Sequence, residues 1–267
     1  MNTMKYSLIA ATCFAFPTLA NAVPVDLSGW TAQGGSSSWN VQPGNDTVLQ
    51  TVNGAPTIFF DPTVTSTQGT ALSGRISVQE SGDDDFIGFV LGYDSGEVFS
   101  NSANFFLIDW KQGDQAGWTQ GLAISHVTNG SNGNTSGTSG SYWQHTPGQV
   151  NLITRATGGL GNTGWVDFTE YAFNILFTSS QITVSVNNVE QINITPSDVP
   201  GLTSFSDGSF GFYNYSQPRV LYAGITQVDC SVTPDAPECQ SGSVPAPATL
   251  VLFGLGLAGL GWSRRKA

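Results

Sequence analysis

The 267-residue chain reads as an all-β protein, a β-sandwich of jelly-roll type folded as a single domain. Three observations predict this. Short runs rich in Val, Ile, Phe and Tyr recur along the middle of the chain, and several alternate apolar with polar, as half-buried strands do. Clusters of Gly, Asn, Ser and Thr separate them where turns are needed. No segment carries a long helical period, and many short strands with such turns are the pattern of a sandwich or jelly roll.

Taken in order, strands are expected at residues 47–52, 57–61, 70–79, 86–93, 104–111, 121–127, 150–154, 171–178, 181–186, 189–194, 208–215 and 220–227. Ala71 to Gln79 alternates most clearly, whereas Phe86 to Tyr93 is continuously apolar. Asn187-Asn188 predicts a tight hairpin, because Asn tolerates a positive φ. Thr128 to Ser141 is nearly all Ser, Thr, Asn and Gly. It is expected to be a mobile loop that cannot bury itself, either a surface insertion or the rim of a binding site. The Pro- and Ser-rich residues 231–243 read as a stalk.

Both ends read as addresses. Lys5, the apolar run Leu8 to Leu19 and Ala20-Asn21-Ala22 make a charged region, a hydrophobic region and an Ala-x-Ala cleavage site. That is a secretory signal peptide over residues 1–22. At the other end, Val244-Pro245-Ala246-Pro247 precedes an apolar run from Ala248 to Trp262 and then Arg264-Arg265-Lys266. Fifteen helical residues rise about 22 Å against a hydrocarbon core of ~30 Å, a difference that flanking snorkelling or bilayer thinning can make up, so this reads as a short transmembrane segment. Its basic end would stay cytoplasmic.

Between the ends, four basic residues (Arg75, Lys111, Arg155, Arg219) face nineteen acidic ones, a formal charge of −15. Such a surface repels nucleic acid and anionic membranes and suits cations or neutral polymers such as glycans. Cys13 leaves with the signal peptide. Cys230 and Cys239 remain as an isolated pair in an exported chain, which predicts a disulfide closing a small loop.

The stretch with the most chemistry is residues 82–112. Asp83, Asp84 and Asp85 sit in a row at the entry to a continuous apolar strand. Three adjacent like charges are costly there unless something positive joins them. Ca²⁺ is a natural partner, because it takes hard oxygen ligands in irregular geometry. Asp109, on the next strand, would complete the set if the two strands pair. The other reading is a solvated acidic turn with Asp109 facing water.

Asp-Asp-Asp-Phe-Ile-Gly-Phe-Val-Leu-Gly-Tyr (83–93) and Phe-Phe-Leu-Ile-Asp-Trp-Lys-Gln (105–112) resemble the C-terminal domain of thrombospondins. Collinear blocks continue the resemblance: Trp143 to Val150, Gly164 to Tyr171 and Gly208 to Tyr213. The match runs from about residue 28 to 229, so residues 23–230 are taken as that domain. The resemblance implies a lectin-like sandwich, calcium binding, an extracellular location and a role in adhesion. The C-terminal layout in turn resembles the PEP-CTERM sorting signal of Gram-negative bacteria, with Ala246 where that motif has Glu. It implies cleavage near residues 245–247 by an exosortase-type processing enzyme.

Catalysis draws little support. The histidines are His126 and His145, and no Gly-x-Ser-x-Gly elbow sits in a strand-to-helix context. A glycosidase needs two carboxylates about 5–10 Å apart, and Glu80 with Asp83 is the nearest approach to such a pair. Among the aromatics, Trp110 and Trp165 are expected in the core. Trp118, in a polar loop, is the candidate for an exposed ligand contact, and Asp114 beside it is a second candidate for approaching a cation. The reading is a non-enzymatic, calcium-binding, lectin-like surface protein that meets glycan or exopolysaccharide. The alternatives are a glycan-active enzyme on the same fold, or a purely structural envelope protein.

Overall fold

The computed structural model describes residues 22–133 and 137–240. Fifteen strands among them form two antiparallel sheets packed face to face. In chain order the strands are β1 (Val23–Pro24), β2 (Thr31–Gly34), β3 (Trp39–Val41), β4 (Val48–Gln50), β5 (Thr57–Phe60), β6 (Thr70–Val78), β7 (Phe86–Tyr93), β8 (Phe105–Lys111), β9 (Gly121–Val127), β10 (Val150–Arg155), β11 (Tyr171–Phe177), β12 (Ile182–Val186), β13 (Val189–Ile194), β14 (Ser209–Tyr215) and β15 (Val220–Asp229). One helical turn, α1 (Ser141–Gln144), precedes β10.

One sheet has the order β13-β12-β11-β6-β15-β4-β3, with β1 also paired to β15, making eight strands. The other has seven, in the order β10-β9-β8-β7-β14-β5-β2. All twelve expected strands form. Three more, β1, β2 and β3, are short N-terminal strands such as Thr-Ala-Gln-Gly, which carry no alternating pattern. Asn187 and Asn188 both adopt positive φ, +49° and +63°, and close the β12–β13 hairpin. That is the turn whose twist matches its strands.

The main core lies between the sheets. Leu72, Phe173, Val184 and Tyr222 from the eight-stranded sheet meet Phe59, Phe89, Ile108, Trp110 and Phe212 from the other. Each fully buried large apolar side chain stabilises the fold by about 1.5–3 kcal/mol. Trp110 and Trp165 are both buried here, as expected.

A second core covers the far face of the seven-stranded sheet. By alternation, Phe86, Val90, Phe105, Leu107, Tyr213 and Tyr215 point away from the first core, yet all are buried. The segment between β9 and β10 lies over them and inserts Tyr142 and Trp143 from α1. This explains why β7 and β8 read as continuous apolar runs: a strand buried on both faces has no polar side to alternate.

The structure therefore corrects the expectation for the described residues of the 128–141 segment. Gly130, Gly133 and Ser141 are buried. A side chain on Gly133 would overlap the Tyr142 ring, and Gly130 donates to Ser100 O at 2.7 Å. The glycines that look like a loop signal are what let the backbone lie against aromatic rings.

The expected stalk differs as well. Cys230 and Cys239 are joined in a disulfide. Residues 229–240 form a compact loop with turn hydrogen bonds from Thr233 to Asp229 O and from Cys239 to Ala236 O. This loop folds back onto β6 and β11. Among the described residues no helix is long and apolar enough to cross a membrane. The signal peptide, the sorting residues Val244, Pro245, Ala246, Pro247, Arg264 and Arg265, and the expected membrane run 248–262 lie outside the described residues.

Candidate functional site

The acidic triplet sits where the chain enters β7. Asp85 is buried, and Asp83 and Asp84 are half-buried. One carboxylate oxygen from each lies within 4.8 Å of the others. The segment is fixed from several directions. Gln217 Oε1 accepts from the Asp85 amide at 2.9 Å, and the Trp165 indole donates to Asp85 O at 3.1 Å. The Gln112 amide donates to Asp84 O at 3.1 Å. Gly113 leaves the room this needs, because a Cβ there would stand 2.5 Å from Asp84 Oδ2.

The positive group that the triplet requires is present in the chain. Lys111, the last residue of β8, lies opposite Phe86 and is fully buried. Its ammonium donates to Asp85 Oδ1 at 2.8 Å, to Asp84 Oδ1 at 3.3 Å and to Asp84 O at 3.1 Å, and to Gln115 Oε1 at 2.9 Å. It also lies 4.7 Å from the Trp143 ring centroid and 5.3 Å from that of Phe86. A desolvated ammonium gains from ring faces as well as from carboxylates. The sequence reading missed Lys111. The signal was there, since Phe105, Leu107, Asp109 and Lys111 alternate onto one face of β8.

One ammonium against three carboxylates leaves two negative charges over. Asp83 carries the consequence. Its Oδ1 accepts from the Asp84 amide at 3.1 Å and its Oδ2 from the Asn53 side-chain amide. Burial, followed by repulsion from Asp85 and Asp84, raises its pKa to about 6. The donor set is all oxygen, so it fits a hard divalent cation, and the residual charge is what such an ion cancels.

Asp109 does not join this group. It is buried one alternation along from Lys111, opposite Gly88. There it meets His145, with Oδ2 and Nε2 2.9 Å apart, close enough for an ion pair but out of line for a hydrogen bond. His145 itself ends α1 at a positive φ of +44°. The expectation that pairing of β7 with β8 would carry Asp109 to the triplet fails because the ammonium of Lys111 stands on the face between them.

Trp118 is half-buried, with both ring faces covered. The His145 imidazole stacks on one side, centroids 3.7 Å apart and 6° from parallel, and the Arg155 guanidinium lies 4.8 Å over the ring. A ligand meets only its edge. Asp114 is exposed, accepts from the Gln120 amide at 2.7 Å and lies outside the carboxylate group.

The family model for the thrombospondin C-terminal region matches residues 35–231. The chain belongs to that family. A second model, the PEP-CTERM protein-sorting motif, matches residues 243–266. Thrombospondin-2 of Gallus gallus is 29% identical over 215 residues, covering 76% of this chain and 17% of that protein. Cartilage oligomeric matrix protein of Bos taurus is 24% identical over 215 residues, covering 76% and 27%. The chain thus spans well under a third of the length of these relatives. Among solved structures, the fold is similar to a carbohydrate binding module, CBM66, from Bacillus subtilis (TM-score 0.50, 12% identity, 79% of this chain and 99% of that one). It is also similar to a Bacillus subtilis protein with a galectin-like fold (TM-score 0.52, 8% identity, 78% and 94%). At these identities the likeness is one of fold, and the two sheets are a lectin-like sandwich.

Proposed function

We propose that this family member is an exported, non-enzymatic glycan-binding module, stabilised by Ca²⁺ and acting in adhesion at the cell surface or in the exopolysaccharide of a Gram-negative bacterium. The observation that carries the reading is the join between a lectin-like sandwich matched over 35–231 and a sorting motif matched over 243–266. A binding fold is thereby linked to delivery at the surface. In this reading residues 1–22 direct export, the apolar run after Pro247 holds the chain in the membrane before processing, and an exosortase-type enzyme cleaves near 245–247. The charge of the mature part argues against nucleic-acid partners.

Asp83, Asp84 and Asp85 are the residues that would hold the ion, and its chemistry there is charge neutralisation rather than catalysis. A thermal melt of residues 23–243, in calcium and then in EDTA, tests this. A ligand that binds only the folded state raises the melting temperature. The wild type is expected to gain several degrees in calcium and Asp84→Ala to gain none. Equal responses would remove the triplet from the site. Glycan screening in calcium follows, and an empty screen would favour a purely structural envelope role.

A further inference from the structure

The outer face of the eight-stranded sheet carries a groove that the calcium site does not explain. It holds about 250 Å³ and is lined by Ser73, Arg75, Asn174, Ser185, Asn188 and Glu238. The first two side chains come from β6, Asn174 from β11, Ser185 from β12 and Asn188 from the hairpin turn. Glu238 comes from the disulfide loop, so that loop is a wall of the groove.

The loop is seated firmly enough to serve as one. Ala71, Leu176 and Val228 are neighbours by strand register and point to the outer face, yet all are buried. Ala236 of the loop is buried as well, and the loop contacts β6 and β11. Polar bonds pin it, from Asn174 Nδ2 to Glu238 O at 3.0 Å and from the Cys230 amide to Gly69 O at 2.8 Å. Ser73 Oγ donates to Asn174 Oδ1 at 2.7 Å, so the Asn174 amide is held at both ends and the floor is preorganised.

The chemistry of the groove selects its ligand by elimination. β6 and β11 are paired on both sides, so no open strand edge is offered for a peptide to extend. The groove lining carries one charge of each sign, Arg75 and Glu238, so neither an anion nor a cation finds a matched site, and Arg75 is itself 3.2 Å from Glu170. The ring of Phe173 turns inward onto Phe89, centroids 4.5 Å apart, so the floor offers no apolar platform for a lipid or a drug-like ring. What remains are short polar side chains of both hydrogen-bonding senses. Among the described residues no bond engages the Ser185 hydroxyl or the exposed Asn188 amide, and Glu238 Oε2 is buried without a hydrogen-bond partner. Buried polar atoms are rarely left so. The volume falls below the ~300–1,000 Å³ usual for drug-sized ligands, which suits a single ring or a chain end.

We propose that this groove is a binding site for a neutral saccharide, one wall of it supplied by the Cys230–Cys239 loop. The assignment rests on the glycan-binding reading and gives it a location, on the outer face of the eight-stranded sheet and apart from the acidic triplet. Recognition there is by hydroxyl, amide, guanidinium and carboxylate groups rather than by ring stacking.

The test is a glycan array of neutral oligosaccharides, probed at fixed calcium with the mature protein and with Ser185→Trp, Arg75→Met and Cys230→Ser/Cys239→Ser. Ser185→Trp fills the groove from its polar face and is expected to abolish binding. Arg75→Met changes a half-exposed side chain, so it keeps the fold while weakening binding several-fold. Opening the disulfide is expected to weaken binding at least tenfold while the far-ultraviolet spectrum is retained. Array binding that survives both Ser185→Trp and Arg75→Met overturns the groove but leaves the glycan reading standing. No binding by the wild type overturns both. Amide shifts induced by a bound oligosaccharide must fall on β6, β11, β12 and residues 229–240, and shifts confined to residues 80–85 and 111–120 would also overturn the assignment.

Discussion

The two outer faces of this sandwich have opposite fates. That of the seven-stranded sheet is closed: aromatic rings cover it, α1 locks Tyr142 and Trp143 into it, and the buried charges Lys111, Asp85 and Asp109 lie beneath. That of the eight-stranded sheet carries a groove lined mostly by short polar side chains, and among the described residues the disulfide loop rests on it. The closed face supplies stability and holds the ionic cluster in place. The open face is free to meet a ligand, because little of the fold depends on it.

The largest effect should come from breaking the ionic cluster. Lys111→Met leaves Asp85 buried without its counter-charge, and losing one partner of a buried pair costs about 3–5 kcal/mol. Urea unfolding would show this as a lowered midpoint at unchanged slope. Calcium should restore part of the loss if the ion sits at the triplet. A loss below about 1 kcal/mol would mean that the closed face tolerates bare charge. Trp143→Ala should cost a similar or slightly smaller amount, about 3–5 kcal/mol for a buried aromatic. It should also make stability salt-sensitive, because the ammonium then meets water.

A smaller effect distinguishes a calcium site from an acidic turn. Asp83 has a pKa near 6 in the folded protein against an ordinary value of 3.8. The folded state therefore holds the proton more tightly than the unfolded one. Its contribution to stability is complete below the ordinary value and is lost as pH rises through about 6. In EDTA, wild type should lose stability relative to Asp83→Asn across that window, and calcium should reverse the trend because the ion favours the carboxylate. Denaturant midpoints at a series of pH values read both slopes. Parallel curves for the two proteins would separate Asp83 from the cluster.

The smallest change lies on the open side. Thr183 Oγ1 is buried on the outer face of β12 without a hydrogen-bond partner among the described residues. Thr183→Val keeps the shape and removes that atom, so stability should stay within ~1 kcal/mol of wild type or rise. A loss comparable to that of Trp143→Ala would show that the open face is as tightly determined as the closed one.

The contrast between the faces also marks what could be read from the chain. Alternation placed β6, and the Asn-Asn pair placed the β12–β13 hairpin, because those signals are local. The runs Phe86–Tyr93 and Phe105–Lys111 lacked alternation, which is itself the mark of two covered faces, but the segment that covers them looked like a polar loop. Its burial depends on Gly130 and Gly133 meeting Tyr142, a fit made by tertiary contact. The triplet's need for positive charge was legible. That Lys111 answers it, and that Asp109 turns to His145 instead, follows from strand register rather than composition. The disulfide pair was legible from its isolation, whereas the seat of its loop on β6 and β11 follows from tertiary contact.

The position of β15 has a consequence for the order in which the molecule can assemble. It is the last strand, yet it sits inside the eight-stranded sheet, pairing with β6 and β4 and, through Gln227 and Thr226, with the first strand of the domain. A chain emerging N-terminus first therefore cannot complete the eight-stranded sheet until residue 229 has passed. Pairings between such distant segments form slowly, because loop closure comes before any contact rewards it. The sorting motif begins close behind, at residue 243. Everything ahead of residue 229 thus travels before the eight-stranded sheet can close, and the late strand keeps that sheet open in the meantime.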